Sequence, residues 1–115
     1  MSTGTTVDDV RRFAMSLPRT TEHLIREQVK FRVGRLVYLA VSADETTLGF
    51  AFPKEERDGL VAAEPAKFAL PGTSDLRYHW VHATLAALDE DELRELVVEA
   101  WRMVVPKKLA AAYAP

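Results

Sequence analysis

A chain of 115 residues, 48% apolar and 28% charged, describes one globular domain over 1–115 and excludes a disordered or fibrous chain. The absence of cysteine removes disulfides, thiolate catalysis and cysteine-ligated zinc, and a net charge of −2 argues against a non-specific nucleic-acid coat protein. No apolar run approaches the ~20 residues of a membrane span, and MSTGTTVDDVRRF has neither a basic start nor an apolar signal core, so a cytoplasmic protein without a membrane partner is expected.

Val7, Val10, Phe13, Ala14 and Leu17 recur at helical spacing, which predicts an amphipathic helix over 7–17, opened by Thr6 and Asp9 as a capping box and stopped by Pro18. Residues 19–28 (RTTEHLIREQ) show no decisive period and read as a loop or a short irregular helix, with His23 a solvated loop residue. KFRVGRLVYLAVS reads as two strands joined near Gly34 and Arg35. After the polar turn ADETT, LGFAF is a strand in which Leu48, Phe50 and Phe52 alternate with small residues. Pro53 suits the first position of a helix running to about Ala63, and 66–76 (AKFALPGTSDL) is a loop.

The last helix has the plainest signal. Asp89 and Glu92 form a capping box, Leu88 and Leu93 a hydrophobic staple, and Leu93, Leu96, Val97, Ala100, Trp101 and Val104 an apolar stripe. Helix N-termini favour acids on dipole grounds, so the Asp89–Glu92 cluster reads as a cap and not as a metal site. Pro106 ends or kinks this helix, and KKLAAAYA adds a further turn or two. The order α-β-β-β-α-β(β)-α predicts an α+β fold, an antiparallel sheet with the 7–17 and 90–104 helices on one face.

RYHWVH, residues 77–82, is the densest chemical patch. Alternation along a strand places Tyr78, Trp80, His82 and Thr84 on one face and Arg77, His79, Val81, Ala83 and Leu85 on the other. His79 and His82 then point opposite ways and cannot chelate one ion. The apolar set Val81, Ala83 and Leu85 belongs against the helices, leaving Trp80 and His82 on a wetter face. There Trp80 either packs on neighbouring strands or anchors a ligand. No nucleophile motif, GxGxxG or phosphate-cradling loop is present, so no catalytic residue, cofactor or metal ligand is assigned.

Charge is unevenly distributed. Residues 1–40 carry seven Lys/Arg against four Asp/Glu, and 100–115 carry three bases and no acid. The available cations are Arg11, Arg12, Arg19, Arg26, Lys30, Arg32 and Arg35 with Arg102, Lys107 and Lys108, the last three also suiting a helix C-terminus.

VRRFAMSLPRTTE, VKFRVGRLVYLAV, RYHWVHATL and DELRELVVEAWRMVVPKKLA resemble the MmcQ/YjbR family in order and spacing, over residues 7–112. The more specific pieces are the SLPRTTE turn at Ser16–Glu22, the FRVG hairpin at Phe31–Gly34, and the tryptophan-led strand before the capped helix. The resemblance implies an α+β domain similar to bacterial frataxin and secretion chaperones, and a DNA-binding role without a catalytic residue. The strand TLGFAF departs from the lysine-bearing strand of many members. The expected function is a non-enzymatic DNA-binding or DNA-associated domain, with weak, salt-sensitive contacts to double-stranded DNA. The alternative is a protein- or small-ligand-binding module that uses the open sheet face or a dimer contact. Candidate contacts under either reading are Lys30, Arg32, Arg35, Trp80, His82, Arg102, Lys107 and Lys108.

Overall fold

The computed structural model describes residues 4–113. Helix α1 (Val7–Met15) leads into strands β1 (Thr20–Ile25), β2 (Gln28–Val33), β3 (Leu36–Val41) and β4 (Thr47–Ala51). Helix α2 (Lys54–Ala63), strands β5 (Phe68–Ala69) and β6 (Trp80–Thr84), and helices α3 (Glu90–Arg102) and α4 (Lys107–Ala112) follow. All strands pair antiparallel, in the order β1-β2-β3-β4-β6-β5. The fold is α+β. The helical reading of KKLAAAYA holds to Ala112, and its final residue, Ala114, lies outside the described residues.

Both predicted caps form. The Asp9 carboxylate accepts the Thr6 N–H at 2.9 Å. At α3 the exchange is reciprocal, with Glu92 N–H donating to Asp89 Oδ1 at 2.8 Å and Asp89 N–H to Glu92 Oε1 at 3.1 Å. Leu88 and Leu93 are both fully buried beneath this turn, as a staple requires.

The register divides the sheet into two unlike faces. Cross-strand rows Phe31–Leu39–Phe50–Val81 and Val41–Leu48–Ala83–Phe68 are buried against Val10, Phe13, Leu93, Val97 and Trp101 of α1 and α3. Each such side chain contributes about 1.5–3 kcal/mol by leaving water. The rows between them face outward: Lys30–Ala40–Gly49–His82 and Ala51–Trp80.

One irregularity sits in β3. Phe31 pairs with Leu39 but Arg32 pairs with Val37, so Tyr38 is an extra residue, and consecutive Tyr38 and Leu39 are both fully buried. The Tyr38 hydroxyl lies 2.8 Å from the Thr20 hydroxyl, and burial pushes the phenol pKa up to about 12.

Three expectations are corrected. Residues 20–25 are strand β1, neither loop nor helix, and His23 is half-buried in it. The turn that would have announced this hairpin is built from Arg26 and Glu27, at φ 51° and 67°, where glycine or asparagine is usual. Strand β6 begins only at Trp80, so alternation does not govern Arg77 and His79, which are exposed in the preceding loop. The 66–76 loop also contains the two residues of β5 and a 3-10 turn at Thr73–Asp75.

Leu93→Ala should cost about 2–5 kcal/mol in denaturant melts, because the cavity beneath the α3 cap cannot collapse fully. Leu24→Ala, at a position 74% exposed, should stay within about 0.5 kcal/mol. Equal losses at the two sites would contradict the core as described.

Candidate functional site

The outward rows enclose a concavity because their central members are small. Ala40 on β3 and Gly49 and Ala51 on β4 leave the middle of the sheet without side-chain bulk. Trp80 and His82 of β6 and Tyr78 and His79 of the preceding loop stand along one side. Lys30 and Gln28 of β2 stand on the other, and Leu36, Val37, Met103 and Val104 complete the apolar part of the rim. The resulting groove has a cavity volume of about 610 Å3.

Gly49 is required there. A Cβ at this position would meet the Trp80 indole Nε1 at 2.6 Å, so the indole lies directly against the glycine backbone. Trp80 is therefore partly packed and still lines the groove. The His82 imidazole is half-buried beside it, and burial lowers its pKa against the opposing pull of Asp75, keeping it neutral at neutral pH. Loop 76–80 is held from below by Arg57 of α2, itself only 8% exposed. Its guanidinium donates to the carbonyls of Leu76 at 2.7 Å, Tyr78 at 3.0 Å and Trp80 at 3.3 Å. His79 Nδ1 accepts the Lys54 N–H at 3.0 Å, tying the same loop to the first turn of α2.

Of the eight candidate contacts, the groove takes in Lys30, Trp80 and His82. Arg32 lies on the same outward face but reaches sideways, donating to His23 Nδ1 at 2.9 Å. Arg35 is exposed in the β2–β3 turn. Arg102 is bound to Glu99 and to the Tyr113 carbonyl. Lys107 and Lys108 occupy the first turn of α4, so of the three only Arg102 complements a helix C-terminus, that of α3. Arg11 pairs with Asp8 and Glu22, and Arg12 with Asp9 and Glu90.

His79 and His82, expected to point apart, both border the groove, because His79 precedes the regular strand. Among the described residues no group of three His, Asp or Glu side chains is placed to hold a metal ion, and no helix is long and apolar enough to cross a membrane. Sequence reasoning missed Gly49, Ala40, Ala51 and Arg57 as makers of the site. The alternation of small with large residues in LGFAF carried the signal for the floor. Nothing local distinguished Arg57 from the charged residues around it in KEERDG.

Comparison with known proteins agrees with the fold. The YjbR family model matches residues 15–103. The crystal structure of Deinococcus radiodurans protein DR2400, which carries a DUF419 family-model domain, is similar with a TM-score of 0.76. The two chains are 26% identical over 94% of this chain and 83% of that one. No curated protein matches.

Arg57→Met should loosen the groove from beneath. Three carbonyls in part-buried hydrogen bonds would lose their charged donor, at a cost of about 1–3 kcal/mol, and amide exchange should quicken across 76–80. Unchanged exchange in that loop would show that Arg57 does not hold it.

Proposed function

The chain belongs to the YjbR family, and from the groove built on its open sheet face we propose that it is a non-enzymatic binding module that takes its ligand there. The observation that carries this reading is the floor of Ala40, Gly49 and Ala51 beneath Trp80, which forms a cavity of about 610 Å3. Small-molecule sites commonly occupy about 300–1,000 Å3, with a largely apolar lining and a few convergent polar groups. The side chains supply hydrogen-bond donors and aromatic surface. The Ser42 hydroxyl in the lining donates to the Asp44 carboxylate at 2.6 Å and accepts the Thr47 N–H, and the hydrogen bonds that Asp44 accepts from Ser42 and Thr46 lower its pKa, which makes it a poor general base.

A second reading, association with double-stranded DNA, is favoured by Lys30, Arg32 and Arg35. Among the described residues these three form no ion pair, and they follow one another along β2 and its turn. Arg11, Arg12 and Arg102 are already paired with carboxylates and add little to such a surface. The remaining contacts are few, which fits weak binding, on the order of 10⁻⁴–10⁻⁶ M, that falls steeply with salt.

Amide shifts recorded against a mixture of small aromatic and aliphatic fragments should cluster at Ala40, Gly49, Ala51 and His82, and Ala40→Leu should remove them by filling the floor. Shifts confined to α1 and the helical residues of α3, on the other face of the sheet, would overturn the groove reading. Duplex DNA titrated at about 50 and 200 mM salt tests the second reading. Neutralising Lys30, Arg32 and Arg35 together should weaken binding to all sequences alike, and unchanged binding would remove them from the contact.

A further inference from the structure

We propose, resting on the groove reading above, that the ligand is a small planar aromatic anion, its ring against Trp80 and its anionic group at Lys30. Lys30, Ala40, Gly49 and His82 form one cross-strand row. Neighbouring strands lie about 4.8 Å apart, so the backbone positions of Lys30 and His82 are separated by about 14 Å. Only a methyl group and a hydrogen stand between them on this face. That span holds one or two fused rings with a charged substituent and is too short for a stretch of duplex.

The charges set the direction of the ligand. The Lys30 ammonium belongs to no ion pair among the described residues, so the groove presents a cationic donor without a carboxylate partner. Asp75, a carboxylate of the lining, acts on His82 at the β6 side. An anion is therefore attracted to the β2 side and repelled from the β6 side, where the aromatic wall stands. A ring on Trp80 gains stacking area against a side chain already immobilised on Gly49, so little ordering entropy opposes it. The same chemistry occurs in aromatic carboxylates and in mononucleotides.

The two tryptophans supply the test. Their indole N–H signals are distinct probes, since Trp80 lines the groove while Trp101 is fully buried and donates to the Pro18 carbonyl at 2.9 Å. Titration with 2-naphthoate should move the Trp80 signal and leave that of Trp101. Cyclohexanecarboxylate, which has no aromatic ring, should leave both. Lys30→Met should weaken 2-naphthoate by about tenfold, and Lys30→Arg should retain it. Adenosine 5′-monophosphate forms a parallel arm: tighter binding than 2-naphthoate supports the proposal with a nucleotide as source, and weaker binding supports it with an aromatic acid. Equal affinity for neutral 2-naphthalenemethanol would overturn the anionic assignment while the groove reading stands. No response of the Trp80 signal to any ring compound would overturn both.

Discussion

Trp101 joins the layers of this domain at one point, fully buried in the core with its indole N–H bonded to the carbonyl of Pro18. Pro18 lies in the link between α1 and β1, so a single hydrogen bond secures α3 to the corner where the first helix turns into the sheet. A buried indole N–H without an acceptor would cost about 1–3 kcal/mol, so the ring's place in the core depends on that corner keeping its shape. Tyr113 closes over the same ring edge-on, at 5.1 Å between centroids, and ties the end of α4 to the anchor. With α1 and α3 held on one face, the other face of the sheet is left open.

That division gives the parity of every strand a functional meaning. A side chain one residue along moves from the core to the open face, so Leu48 and Phe50 build the interior while Gly49 and Ala51 shape the groove. The β3 irregularity shows how strictly parity is enforced. Tyr38 is absorbed as an extra residue, which lets Leu39 and Val41 keep their inward places while Val37 joins the outward-facing rim. Arg57 performs a related task beneath the loop before β6, satisfying carbonyls that the sheet leaves unpaired as the chain enters the strand at Trp80.

The cations are distributed by the same architecture. Those on the outer side of α1 are taken up by carboxylates of α1 itself, β1 and α3, and they brace the helix layer from outside. Exposed pairs of this kind contribute at most about 1 kcal/mol each, so their chief effect is to remove positive charge from the surface. Among the described residues Arg19, Arg26, Lys30, Arg32 and Arg35 belong to no ion pair, with Lys30 on the open sheet face and Arg32 turned toward His23. The basic first third of the chain thus divides between a neutralised helix layer and cations left along β2 and the turns around β1 and β2.

The sequence by itself determined the elements whose signals are local. The capped α3 was readable from DELRELVVEAWR, the two strands around Gly34 from their β-branched runs, and the inward set Val81, Ala83 and Leu85 from alternation. Membership of the family was also readable, because its marks are structural turns and caps with fixed spacing. Strand β1 was not readable. It is an edge strand paired on one side only, its residues are mixed in polarity, and its turn uses Arg26 and Glu27 in a conformation that their side chains do not favour. Pairing with β2 decided it. The groove was equally beyond local reading, since Lys30, Ala40, Gly49 and His82 become one row only when four strands lie in register. Which of ten candidate cations stay free was settled by partners as distant in sequence as Arg12 and Glu90. Local propensity acts over a few neighbouring residues, whereas register and ion pairing depend on where distant segments are brought together by the burial of the core.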